Sequence, residues 1–487
     1  MNDQDKAIVI GGGIAGVSSA LSLADNGYQV YVIEKKSSIG GHALRFCCKA
    51  TEQCNSCGVC LAKDKITKAA VQPNIHFLTL SEVVDLREVG SGADVPRFEV
   101  EVRKQPRFID EDKCIGCSLC YQTCPKAGAA ISRTYLSSIP NLFSIDKDHC
   151  LAFQQDTGCS LCQDNCPTGA ILLSQEEEIT TLKASSIVVA TGFDAYDARK
   201  KGHLGYGRFP EVISGLDLEQ RLLTEGAGGV VESIVQGQGQ SQCQCQSQAK
   251  GDGKPPRVAF IQCVGSRDPH INQDYCSRVC CKYSVRMAAK LKSRNSEVDI
   301  TIFYIDLQKT ESEFLSLVEQ VKGKIRLIKG LPVEIEKAQA GSGEAGSGEA
   351  GSGVSMRYEN IDKGCMERAD FDLVVLSVGI SPGAENQSLA EILGLGVGKD
   401  GFFAPLDLTD STVCGRQGIF LAGACQGPKS LVESISHGQE AALRALAFMK
   451  GLTTTGRNGM KGLKGPQESQ GPQGLQEMDG LKEVIHG

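Results

Sequence analysis

Twenty-two cysteines punctuate this 487-residue chain, and most fall in runs whose spacing restricts what they can do. The tightest is Cys114-x2-Cys117-x2-Cys120-x3-Cys124-Pro125. A second run, Cys159-x2-Cys162-x3-Cys166-Pro167, has Cys150 as its nearest upstream thiol. Three closely spaced thiolates hold corners of one [4Fe–4S] cube, and the fourth, set off before a proline, reaches a neighbouring cube. That rule assigns Cys114, Cys117, Cys120 and Cys166 to one cluster and Cys150, Cys159, Cys162 and Cys124 to the other. Asp156 stands where the second run's first cysteine is expected, so the loop from Cys150 must be longer than usual. Zinc competes for CxxC pairs, but triple runs ending in CysPro suit a cubane corner better than one tetrahedral ion.

Two further groups are less regular. Cys263-x12-Cys276-x3-Cys280-Cys281 follows the apolar strand Val258 to Ile261 and opens a helical stretch. Four thiols there can close around another cubane, and a buried structural group is the alternative. Nearer the start lie Cys47-Cys48 and Cys54-x2-Cys57-x2-Cys60. Three readings stay open for them: a fourth cluster on Cys54, Cys57, Cys60 and one of Cys47 or Cys48; a CxxC dithiol that exchanges electrons with a flavin; or inert buried thiols. Cys243, Cys245, Cys365, Cys414 and Cys425 have no partner at ligand spacing.

The glycine loop Gly11-x-Gly13-x-x-Gly16 is a modest signal alone. Its context strengthens it: strand Ala7 to Ile10 precedes it, a helix follows, and the next strand ends at Glu34. That arrangement sets a pyrophosphate on a helix N-terminus and a carboxylate on ribose hydroxyls. Downstream, Gly40-Gly41, Ala190-Thr191-Gly192 and Gly418 to Gly423 resemble the FAD domain of thioredoxin-reductase-type flavoproteins. Those proteins place an acidic residue after the last glycine, where this chain has Ala424-Cys425. A final helix beginning near Ser430 would turn its positive end to the flavin's pyrimidine edge, with Lys429 beside it or merely solvated. The expected cofactor set is Gly11, Gly13, Ile14, Ala15, Gly16, Glu34, Lys35, Gly40, Gly41, Ala190, Thr191, Gly192, Gly423, Ala424 and Lys429. The second α/β region offers no GxGxxG after its first strand, so no second pyrophosphate loop is evident. Seven histidines form no convincing constellation, and catalytic acids, bases and nucleophiles stay unassigned.

These sites need elements to hold them. Alternation over residues 75–104 suggests β-hairpins. The expected organisation is an FAD-binding domain over 1–108, carrying the cysteine patch 47–60, then an inserted ferredoxin-like domain over 109–178. The FAD domain continues over 179–225, and a low-complexity insertion covers 226–256. A second α/β domain spans 257–372, the C-terminal part of the FAD domain 373–450, and a disordered tail 451–487. Lys and Arg total 51 against 58 Asp and Glu, which gives no electrostatic footprint for nucleic acid. No run approaches the ~18 apolar residues of a membrane span, and the N-terminus has no leader pattern, so the expectation is a cytoplasmic protein. Dense cysteine in that setting means metal or redox chemistry in preference to disulfides.

Ile261-Gln262-Cys263-Val264-Gly265-Ser266-Arg267-Asp268, Tyr275-Cys276-Ser277-Arg278-Val279-Cys280-Cys281 and Phe420 to Lys429 resemble the A-type component of heterodisulfide reductase and its bacterial relatives. The likeness covers nearly everything from residue 5 to about 450 outside the low-complexity stretches. It implies a thioredoxin-reductase-like two-domain FAD fold, Rossmann-like, with an inserted two-cluster ferredoxin-like α+β domain. It also implies that Cys263, Cys276, Cys280 and Cys281 hold a [4Fe–4S] cluster, giving FAD with three clusters and a fourth if the N-terminal patch binds one. The chain shows neither the extra N-terminal domain nor the second ferredoxin domain of the archaeal enzyme, which implies shorter electron wiring. The resemblance points to an electron-transfer oxidoreductase subunit working with B- and C-type subunits, a hydrogenase or flavin oxidoreductase subunit, or a membrane quinone module. A self-contained NAD(P)H-dependent disulfide reductase and a vestigial polyferredoxin-like carrier are the alternatives.

Overall fold

The computed structural model describes residues 6–89, 97–132, 138–154, 158–235, 255–308, 312–338, 353–407 and 409–451. Within them one architecture is built twice. The first body is a five-stranded parallel sheet in the order Ile419–Leu421, Ser186–Val189, Lys6–Ile10, Gln29–Glu34 and Ile75–Thr79. Its strands are almost wholly apolar because helices cover the sheet: Ile14–Ala24 and the closing helix Leu431–Met449 share a core with Val9, Val32 and Val188. An antiparallel sheet of Ser81–Val89, Arg97–Lys104 and Glu178–Ala184 seals the other face through Phe98 and Val100.

The second body repeats the plan. Its parallel sheet runs Val212–Ser214, Leu373–Val378, Arg257–Val264, Asp299–Tyr304 and Arg326–Lys329. Helices Gly215–Thr224 and Cys280–Arg294 cover one face, and the antiparallel strands Pro332–Lys337, Val354–Asn360 and Cys365–Phe371 cover the other. The two connections between bodies pair as a short ribbon, Asp194 with Ser381 and Ala195 with Ile380.

Several sequence expectations shift. Ile75–Thr79 is not a hairpin arm; it lies parallel beside Gln29–Glu34 because the chain returns to the sheet through helix Val59–Ala70. Leu373–Val378 pairs with Val212–Ser214 and Arg257–Val264, so the second sheet draws strands from both sides of the expected 257–372 span. Residues 226–235 form a helix whose Val230 and Val231 enter that core. Residues 236–254 of the low-complexity stretch, most of the Gly-Ser-Gly-Glu repeat and the tail beyond 451 lie outside the described residues. Among the described residues no helix is long and apolar enough to cross a membrane.

The cysteine-rich insertion leaves from Lys104 and returns at Glu178, which are directly paired neighbours in the antiparallel sheet. The host strands therefore keep their register whatever the insertion contains. Its small core gathers Phe108, Ile109, Ile131, Phe143, Ile145 and Ile171 around the cysteines. Arg107 anchors it, donating to Ser37 O at 2.9 Å and Thr79 Oγ1 at 2.8 Å. Ile39 N–H donates to Ile139 O at 2.9 Å, which seats the insertion beside Gly40.

Candidate flavin cleft and iron–sulfur sites

A cleft of about 880 Å³ runs along the C-terminal edge of the first sheet and on between the two bodies. Gly11, Gly13, Ile14, Ala15, Glu34, Lys35, Gly41, Ala190, Thr191, Gly192, Ala424 and Lys429 all line it. Gly16, Gly40 and Gly423 stand behind this wall, and bare backbone is what they contribute. A Cβ on Gly16 would lie 2.0 Å from Gly11 O, and one on Gly11, at φ +105°, would lie 2.4 Å from Ala190 O. Gly13 caps helix Ile14–Ala24 with no side chain over its orphan amides, and its Cβ position opens onto free space. That combination suits a pyrophosphate. Glu34 is buried, and its carboxylate is already oriented: Oε2 accepts Gly12 N–H and Oε1 accepts Lys36 N–H, each at 2.8 Å. Burial pushes its pKa up while both amides pull it down. Lys35 sits at the mouth, paired with Glu385 and, at 3.6 Å, with Glu82.

At the far end Ser430 caps the closing helix in a reciprocal box with Glu433. Ser430, Leu431 and Ser434 face the cleft. Lys429 is half-buried and bonds Gln426, and burial lowers its pKa. The cleft geometry depends on close helix crossing: a Cβ on Gly438 would lie 2.3 Å from Ala15 O. His437, which sequence reasoning passed over, holds this corner. Its Nδ1 accepts Gly423 N–H at 2.8 Å and its Nε2 bonds Ser411 Oγ at 2.9 Å, while burial depresses its pKa to about 4. Nothing in its sequence neighbourhood marks it.

The second body has no matching nucleotide loop. Gly265, where that loop would begin, faces the ring of Tyr196, whose Cγ lies 2.0 Å from the position of an added Cβ. A pocket lined by Cys263, Cys276, Cys280 and Cys281 stands there instead, with Ser266, Arg267, Ser277, Arg278, Asp306 and Gln308. Cys263, Arg267 and Arg278 all have left-handed backbones, with φ +58°, +57° and +62°. Strain of that kind is held in place only where the surroundings fix it. Burial pushes the Cys263 thiol up to about 12, and the thiolates of Cys281 and Cys276 push the same way. Cys280 is raised further by burial and by all three others. The site also abuts the cleft, since Cys280 Sγ and Tyr283 Oη both bond Val378 O, and Val378 and Tyr283 line the cleft wall.

In the insertion, burial raises Cys162, and the nearby Cys150, Cys124 and Cys159 raise it further. Cys120 is pushed up to about 11 by burial, and Cys114, Cys117 and Cys162, the last from the other predicted set, push the same way. Cys166 packs in the same core, its Sγ accepting Ala170 N–H at 3.2 Å. Cubane ligation at either set requires the deprotonated thiols. Among the described residues no three Cys, His, Asp or Glu side chains close around a single ion.

The N-terminal cysteines divide. Cys47 is buried in the second body's core with Leu218 and Val285, and its N–H donates to Glu219 Oε2 at 2.9 Å. Cys48, Cys54 and Cys60 are exposed, while Cys57 lines the flavin cleft between the left-handed residues Ser56 and Gly58. Cys47, one of the two candidates for a fourth ligand beside that run, is thus buried where Cys48, the other, is exposed. Arg286 donates to Asn55 O and Ser56 O, fastening this loop to helix Cys280–Arg294. Lys49 and Glu219, both nearly inaccessible, form a buried pair at 2.5 Å across the two bodies.

Comparisons agree with this layout. Residues 6–47 match the FAD dependent oxidoreductase model and residues 107–173 the 4Fe-4S dicluster domain model. The A-type component of the H(2):CoB-CoM heterodisulfide,ferredoxin reductase of Methanothermobacter thermautotrophicus is 33% identical over 471 residues, covering 92% of this chain and 64% of that protein. The second A-type iron-sulfur component of the CoB--CoM heterodisulfide reductase of Methanopyrus kandleri is 35% identical over 460 residues, covering 91% and 64%. Along nearly its whole length the chain is similar to the A-type components of heterodisulfide reductases. It spans 64% of the length of these proteins. A thioredoxin reductase of T. acidophilum aligns at TM-score 0.47 and 15% identity, covering 92% of this chain and 100% of that one.

Proposed function

We propose that this chain is a member of the heterodisulfide reductase A-type family, an oxidoreductase subunit that passes electrons between FAD and a short series of [4Fe–4S] clusters within a heterodisulfide-reductase-like complex. The observation that carries the reading is the shared wall at Val378, which puts the Cys263, Cys276, Cys280 and Cys281 group against the flavin cleft. Bound flavin supplies the exchange between two-electron and one-electron chemistry. The chain's own residues do the positioning: the Gly13 terminus and the Glu34 carboxylate seat the dinucleotide, and the Ser430 helix terminus favours negative charge beside it. The Ile39–Ile139 contact sets the insertion near the same cleft. We assign three clusters: Cys114, Cys117, Cys120 and Cys166; Cys150, Cys159, Cys162 and Cys124; and the group at the cleft. The units we adopt are the FAD-binding body, the inserted 109–178 segment and the second α/β body. Partners of the B and C type, a hydrogenase or flavin oxidoreductase subunit, or a quinone module would take the electrons onward in the cytoplasm.

Anaerobic purification with iron, acid-labile sulfide and flavin quantitation tests this. About 12 iron per flavin fits the three assigned clusters and about 16 adds one at Cys54, Cys57 and Cys60. Colourless or zinc-bearing protein refutes the reading. One observation favours a second reading: Cys57 faces the cleft, as a dithiol exchanging electrons with flavin must. That reading requires rapid flavin bleaching by NADH or NADPH in the isolated chain.

A further inference from the structure

Arg278 lies between two members of the cleft-side cysteine group, and its backbone N–H donates to Cys276 Sγ at 3.3 Å. Its guanidinium leaves the group and reaches Glu433 Oε1 at 2.6 Å, on the closing helix of the other body. Glu433 in turn takes Ser430 N–H on Oε2 at 2.7 Å, and Ser430 lines the flavin cleft. An unbroken line of hydrogen-bonded residues therefore joins a cysteine sulfur to the cleft wall across the boundary between bodies. Arg267, the other cation in the pocket lining, pairs with Asp306 at 2.7 Å inside its own body.

The Arg278 and Glu433 side chains are 51% and 34% exposed, so the pair adds little to folding stability. Its effect on a redox centre is larger. Reduction adds one negative charge to a cluster and changes no bond, and cluster potential follows local charge and hydrogen bonds to the sulfurs. Arg278 lines the cysteine pocket, so its cation, though turned toward Glu433, favours the reduced form, and the carboxylate that holds that cation has the opposite effect.

We propose that Arg278 and Glu433 are opposing determinants of the reduction potential of the cluster held by Cys263, Cys276, Cys280 and Cys281, with Arg278 also keeping that site in register with the flavin cleft. This rests on the functional reading above. The test is an EPR-monitored redox titration of the anaerobic holoprotein, its Arg278→Gln and Glu433→Gln variants, the double variant, and Arg278→Lys. Arg278→Gln is expected to lower the reduced-to-oxidised ratio at fixed poise by on the order of tenfold, which is 59 mV for one electron. Glu433→Gln should raise it, the double variant should return close to the parent, and Arg278→Lys, which keeps the charge, should stay near the parent value. With iron and flavin contents equal to the parent's, two single variants that shift together, or not at all, overturn the proposal. Parent protein without this cluster's signal overturns the functional reading beneath it instead.

Discussion

Lys49 and Glu219 lie 2.5 Å apart with side chains 4% and 3% exposed, and they join a loop of the first body to helix Gly215–Thr224 of the second. Substituting Lys49→Met leaves the Glu219 carboxylate buried without its cation. Its one other described bond, from Cys47 N–H at 2.9 Å, cannot neutralise it. Breaking a buried pair from one side costs about 3–5 kcal/mol, whereas removing both charges is often nearly neutral. Glu219→Gln strands the ammonium in the same way but keeps an acceptor for the Cys47 amide. Lys49→Met/Glu219→Gln should therefore cost less than either single change. Urea unfolding of the flavin-loaded protein, followed by circular dichroism and flavin fluorescence, reads this directly. At slopes of about 1–3 kcal/mol per molar, each single variant should lose more than ~1 M in midpoint. Additivity of the two costs within about 0.5 kcal/mol would refute the reasoning, because it would mean the two groups do not interact.

Other perturbations have equally definite outcomes. Glu34→Gln can accept only one of the two amides that Glu34 now takes, so flavin should be retained roughly 10- to 100-fold less tightly, measured by fluorescence on dilution. Gly438→Ala places a methyl against Ala15 O and should expel flavin and lower the melting temperature; Ala15→Gly should not rescue it, since the clash is with backbone. His437 has its pKa depressed from the ordinary 6.5 to about 4, so its contribution to stability is fully present above 6.5 and is lost as pH falls toward 4. His437→Gln should flatten that part of the stability profile. Cys280→Ala should remove about four irons, while Cys425→Ala, whose thiol bonds Val189 O and Ala422 O in the core, should leave iron content unchanged.

What could be read from sequence was what is local. The loop from Gly11 to Gly16, its strands and Glu34 fall within one βαβ unit, so spacing alone predicts where a dinucleotide would sit. The insertion's runs are legible for the same reason, since each set of closely spaced cysteines lies within a few residues of chain. The losses were long-range. Ile75–Thr79 alternates like a hairpin strand, yet its partner lies behind a helix. Leu373–Val378 is apolar but for Ser377, which announces a central parallel strand but not which sheet it joins. Arg278 and Glu433 are separated by 155 positions, and neither residue's neighbours hint at the other. Cys47 is buried against Leu218 and Val285 of the second body, which its spacing from the nearby thiols does not show.

The pairing of Lys104 with Glu178 has a consequence for how such a protein is assembled over generations. Because the excursion begins and ends at one rung of a ladder, it can be swapped, lengthened or pared to a tight two-residue turn while the flavin host keeps its shape. Wiring and engine are thus separable parts, and what must be preserved in any exchange is the small anchorage at Arg107 and Ile139 that tells the removable part which way to face.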